Sequence, residues 1–257
     1  MDDTSPGLEI QILAGPQALA EYAAGHFIQI ARDSIEKRDS FRVALAGGST
    51  PCLLYEYLSQ PVMLPRVEWA SVQVYWGDER CVPPEHSDSN YLMARRGLLD
   101  HTPLPAGNIH RIFGELGPDI AASSYASELQ SEFPGQQLPC FDLILLGLGE
   151  AGHTASLFPG SLALLETDRW VVAVEHTVFP PPLVSRISLT LPAINNAANV
   201  LFLVSGAGKA DIFGRVMDNS RQTSLLPARL VNPSNGHLVW AIDRLASGDY
   251  LKNADLD

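Results

Sequence analysis

The chain has 257 residues, with 17 basic against 29 acidic side chains and a formal charge of -12, the wrong sign for binding nucleic acid or an anionic membrane surface. Its three cysteines, Cys52, Cys81 and Cys140, are too sparse for a disulfide framework or a C-x-x-C site, and no apolar run approaches the ~20 residues that cross a bilayer. Length and composition predict one α/β domain over residues 1–257, with room for a small appended lobe, in a reducing, cytoplasmic setting.

After a polar start, residues 16–37 carry Leu19, Tyr22, Ala23, Phe27, Ile30 and Ile35 at near-helical spacing, which predicts an amphipathic helix. Residues 41–46 read as a short strand, followed at once by Gly47-Gly48-Ser49-Thr50-Pro51. Two glycines, two hydroxyls and a proline suited to a first helical turn make either an anion cradle before a 52–58 helix or an ordinary turn capped by Ser49 or Thr50. A strand at 72–76 ends in Gly77-Asp78-Glu79-Arg80, whose charges read as catalytic or as solvated turn charges. A loop rich in Pro, Ser and Asp spans 81–90, and a helix then passes through Tyr91, Leu92, Leu98 and Leu99. Residues 109–112 suggest a strand, 117–133 a helix and 134–139 a loop.

The stretch 141–161, FDLILLGLGEAGHTASLFPGS, organises the rest. Its apolar run has the length of a strand covered on both faces, and Gly147, Gly149 and Gly152 then let the backbone turn sharply beside a ligand. His153 follows, at the carboxyl end of a central strand, where open α/β sheets place their ligands. Residues 154–158 can start a helix, but Pro159 and Gly160 end it after about one turn. The glycines match G-x-G-x-x-G, yet a dinucleotide site needs a long helix after them, and Pro159 leaves no room for one.

Residues 169–174 read as a strand, and Pro180, Pro181 and Pro182 make a loop delivering Arg186, which either reaches back over the site or lies on the surface. Residues 199–205 form a strong strand, and Gly206-Ala207-Gly208-Lys209 opens a helix through Ile212, Phe213 and Val216. A lysine in a first helical turn opposes the local dipole unless an anion compensates it. The spacing does not fit a Walker A loop, since Leu203 stands where that motif needs glycine. A turn at 232–236 and a strand at 238–242 close the pattern.

Four apolar strands are thus each followed by a polar turn, and a parallel sheet brings such turns to one edge. Backbone N–H groups with Ser49, Thr50, Lys209 and Arg186 would suit a phosphate, and His153, with a reference pKa near ~6.5, offers a neutral imidazole to take a proton from water. Arg80 and nearby N–H groups are candidates to stabilise charge on a carbonyl oxygen. There is no G-x-S-x-G elbow and no H-E-x-x-H, and the seven histidines show no ligand spacing.

Ala46-Gly47-Gly48-Ser49-Thr50-Pro51, Gly77-Asp78-Glu79-Arg80 with Ser89-Asn90, Gly152-His153-Thr154-Ala155-Ser156-Leu157-Phe158-Pro159, Arg186 with Thr190, and Gly208-Lys209 occur in the order in which they resemble 6-phosphogluconolactonases, within the larger group of glucosamine-6-phosphate deaminases and ribose-5-phosphate isomerases. The resemblance implies a three-layer αβα fold with a mostly parallel, modified Rossmann-like sheet. It also implies a hydrolase without metal or cofactor, acting on a phosphorylated sugar lactone. On that pattern Gly47, Gly48, Ser49, Thr50, Arg186 and Lys209 hold the phosphate and His153 is the base, with Asp78 and Arg80 beside it. One position departs: the usual Asp-Gly-His is here Ala151-Gly152-His153. The missing acid argues against isomerase or deaminase chemistry and leaves Glu150 or Asp78 to support His153. A sugar-phosphate binding protein with impaired catalysis is the alternative.

Overall fold

In the computed structural model the described residues are 7–177, 181–218 and 225–250. In chain order they form β1 (Leu8–Leu13), α1 (Pro16–Arg38), β2 (Phe41–Leu45), α2 (Ser49–Leu58), β3 (Val72–Trp76), β4 (Asp78–Arg80), α3 (Asn90–Gly97) and α4 (Pro118–Glu132). There follow β5 (Leu143–Gly147), β6 (Val171–Val174), β7 (Arg186–Leu189), α5 (Leu191–Asn195), β8 (Asn199–Val204), α6 (Ala210–Met217), β9 (His237–Asp243) and α7 (Arg244–Ser247), with short 3-10 turns between. No described helix is long and apolar enough to cross a membrane.

Six strands make a parallel sheet in the order β1-β9-β8-β5-β2-β3. The central β5 and, after Asn199, β8 are unbroken apolar runs, as strands covered on both faces must be. On one face α1 packs on α2, and the pair covers β2, β5, β8 and β9. Phe27 of α1 meets Phe41 edge to face, and Phe202 of β8 stacks on Trp240 of β9. Burying such rings with the aliphatic core around them stabilises the fold by ~25 cal/mol per Å² of apolar surface removed from water.

The second sheet corrects the expectation that Gly77 to Arg80 is a turn on the parallel edge. β4, β7 and β6 pair antiparallel as a sheet of three, and α4 packs on β6 and β7. Gly77 is the crossing point between sheets. Its N–H donates to Leu45 O of β2 at 2.9 Å, while its carbonyl accepts from Leu189 N of the second sheet at 2.9 Å. Asp78 and Glu79, 6% and 3% exposed, are therefore buried strand residues and not solvated turn charges. The strand expected at 169–174 belongs to this sheet too, and Arg186, at 3% exposure, is no surface arginine.

Other expectations also change. Residues 154–158 form no helix: Thr154 bridges Leu157 across a tight turn, because Thr154 Oγ1 donates back to Gly147 O and Ser156 Oγ to Asp78. Residues 109–112 make a single bridge to Val74 and no strand, since the side chain of Asn108 already occupies the carbonyl of Val72. The supposed polar start holds β1, a half-exposed edge strand beside β9, and α5 was not foreseen. Of the proline loop, Pro180 lies outside the described residues.

Candidate active site

At the carboxyl edge of the parallel sheet a cleft opens, lined by Gly47, Gly48, Ser49 and Thr50 after β2, by Asp78 and Arg80 of β4, by Gly149 and His153 after β5, by Arg186 of β7 and by Lys209 after β8. All nine residues singled out in the sequence meet there. The edge joins β2 to β5, where the chain reverses its direction of strand addition, and such a switch point leaves a crevice for a ligand.

Each wall has a local cause. Gly48 adopts φ 105°, a left-handed conformation that favours glycine, and no side-chain oxygen caps α2 behind it. The capped-turn alternative therefore falls away, and the first N–H groups of α2 are left for a ligand. Gly47 has a packing reason: a Cβ there would sit 1.9 Å from Oδ1 of Asn90. On the opposite side a 3-10 turn, Ala207–Lys209, carries Lys209 ahead of α6. Asp243, buried at the end of β9, accepts from Ser205 Oγ at 2.6 Å and from Gly206 N at 3.1 Å, which ties that turn to the sheet.

The acidic wall is fully bonded. Asp78 accepts from Ser156 Oγ at 2.6 Å and from Asn90 Nδ2 at 3.2 Å. Glu79 accepts from the N–H groups of Arg80, Asn90 and Tyr91 at 2.7–2.8 Å and from Ser89 Oγ at 3.0 Å. Burial pushes its carboxyl upward, and these backbone donors oppose that. Arg80 donates to Asp88 O at 2.7 Å, so β4 and the loop before α3 hold one another in place.

His153 sits at the centre. Burial pushes its imidazole down from 6.5 to about 3, helped by the positive charges of Arg186 and Lys209, by His176 and by Arg80. The ring packs against Phe158 with centroids 4.4 Å apart and planes tilted by 36°, Phe158 stacks on the buried His176 at 4.2 Å, and the Arg186 guanidinium lies 5.3 Å from the Phe158 centroid. A Cβ on Gly149 would fall 1.9–2.3 Å from the ring atoms. The G-x-G-x-x-G pattern thus makes room for an imidazole, and the next element after β5 among the described residues is a 3-10 turn and not a dinucleotide-binding helix. His153 Nδ1 is buried with no hydrogen-bond partner among the described residues, so neither Glu150 nor Asp78 takes the role of the absent acid at 151.

Sequence reasoning left several contributors without a role. Ser156 and Asn90 were legible as members of the quoted motifs, but their bonds to Asp78 depend on β4 crossing sheets. Asp243 and His176 gave no signal, being far from the turns they support.

Residues 14–240 match the family model of glucosamine-6-phosphate isomerases/6-phosphogluconolactonase. The chain belongs to this family. Among its relatives, a 6-phosphogluconolactonase of Nostoc sp. is 36% identical over 244 residues, covering 93% of this chain and 97% of that protein. One of Rattus norvegicus is 36% identical over 245 residues, covering 95% and 93%. The solved 6-phosphogluconolactonase of Trypanosoma brucei superposes with a TM-score of 0.85 at 29% identity, covering 95% of this chain and 98% of that one. Its fold is thus that of the 6-phosphogluconolactonase branch, a mostly parallel sheet with flanking helices.

Proposed function

We propose that this lactone-hydrolysing enzyme opens 6-phospho-D-glucono-1,5-lactone to 6-phospho-D-gluconate in the oxidative pentose phosphate pathway, with His153 as the base. The observation that carries the reading is one cleft holding a neutral imidazole beside Arg80, Arg186, Lys209 and the uncapped start of α2. In this reading the phosphate lies against Arg186, Lys209 and the N–H groups of the Gly47 to Thr50 loop. Water attacks the lactone carbonyl while its proton passes to His153; the ring C–O bond then breaks and the departing oxygen takes up a proton. Arg80 faces the oxygen that gains charge, and Asp78, with both oxygens already bonded inside the protein, fixes that wall.

A lactone is already electrophilic, so a placed base contributes roughly 10²- to 10⁴-fold and no covalent nucleophile is required. Replacing His153 by Ala should lower kcat by that factor with an unchanged circular-dichroism spectrum; retained turnover would remove the base. The orphaned Nδ1 favours one second reading, a sugar-phosphate binder with impaired catalysis. Calorimetry with 6-phosphogluconate beside a turnover assay separates the two, because binding without turnover supports only the second.

A further inference from the structure

The charges that face His153 come from every element around the cleft: Arg186 on β7, Arg80 on β4, Lys209 ahead of α6, and His176 behind Phe158. Asp78 is the carboxylate lining the same cleft, and Ser156 and Asn90 hold it. Among the described residues no carboxylate lies within ion-pair distance of Arg80, Arg186 or Lys209. Nε of Arg80 and of the buried Arg186 are donors without acceptors, as is expected of a site built for an anion. Burial is the first reason the His153 ring holds a proton poorly, and these cations, opposed at Arg186 by the charges of Asp78 and Asp88, are the second; a base that weak takes a proton from water slowly.

We propose that the oxyanion that neutralises Arg186 and Lys209 also restores the proton affinity of His153, so that the substrate's phosphate switches on the base as well as anchoring the sugar. The proposal rests on the reading of His153 as the base. A dianion between the two cations cancels their field at the ring, and the low dielectric of the buried site keeps that change large. Discrimination against unphosphorylated lactones then lies in kcat as well as in affinity, since binding energy far from the reacting carbonyl is expressed in the chemical step. The covalent link between phosphate and sugar is not needed for this effect. A free oxyanion and an unphosphorylated aldono-1,5-lactone should together react as the joined substrate does, by the same attack of water, proton transfer to His153 and opening of the ring C–O bond.

The test supplies the substrate in two pieces. Hydrolysis of glucono-1,5-lactone is followed at constant ionic strength while phosphite is titrated, with the protein-free rate subtracted. The switch requires a rise in kcat/KM of at least tenfold at saturating phosphite, abolished in Arg186→Ala and Lys209→Ala; no rise, or inhibition alone, overturns it. A second readout is independent of turnover. The His153 ring resonance, assigned with His153→Gln, is titrated from pH 8 to pH 4 with and without inorganic phosphate. A midpoint that enters this range only with phosphate supports the switch, and superimposable curves overturn it. Assaying 6-phosphogluconolactone with wild type and His153→Ala alongside separates the two levels: if that activity depends on His153 while phosphite does nothing, the switch alone falls, and if it does not, the base assignment falls with it.

Discussion

His153 is defined by what stands next to it. The ring occupies the space where Gly149 would carry a side chain, so Gly149→Ala forces the imidazole out of its position while leaving the arginines and Lys209 untouched. The expected result is a fall in kcat of at least ~10²-fold with little change in phosphate affinity, read from steady-state kinetics and calorimetry. Its depressed pKa has a consequence for stability as well. Between the unfolded value of 6.5 and about 3 in the folded protein, the unfolded chain binds a proton that the folded one refuses. His153 therefore makes the protein less stable as pH falls through that window. Urea unfolding at pH 7 and pH 5 should show a larger loss in wild type than in His153→Gln, and equal losses would contradict the buried, neutral ring.

β4 is the element that converts a sheet edge into a site. Three residues long, it carries Asp78 and Arg80 toward the cleft and Glu79 away from it, into a nest of N–H groups from the loop and first turn of α3. An amide at 79 would turn donors toward those N–H groups, so Glu79→Gln should cost ~3 kcal/mol of stability, measured as a shift in urea midpoint at unchanged m-value. Alternating orientation along a strand predicts this division of labour once the segment is known to be a strand. Its length hid it. A strand of three residues with no apolar member gives no periodic signal, and its sequence is that of a polar turn.

Across the whole molecule, the groups proposed to hold the phosphate are brought together from elements far apart in the chain: Ser49 and Thr50 on α2, Arg186 on β7 and Lys209 ahead of α6. Arg186→Ala and Lys209→Ala should each raise KM for the phosphorylated lactone by roughly 10- to 100-fold, the worth of one or two charge-assisted hydrogen bonds. KM for an unphosphorylated lactone should stay the same, and a parallel rise would place the anion elsewhere. The parallel strands, the helices 16–37 and 117–133 and the glycine turns were legible in the sequence because each is a local pattern: an apolar run or a helical period, followed by residues that permit a sharp turn. His153 was legible for the same reason, standing directly after such a turn. The second sheet, the burial of Asp78, Glu79 and Arg186, and the support from Ser156, Asn90 and Asp243 were decided by tertiary structure. Ser156 lies 78 residues from Asp78 and Gly206 lies 37 from Asp243, and whether a charged side chain faces water or a bonded interior depends on which segment packs over it, a quantity that no local pattern carries.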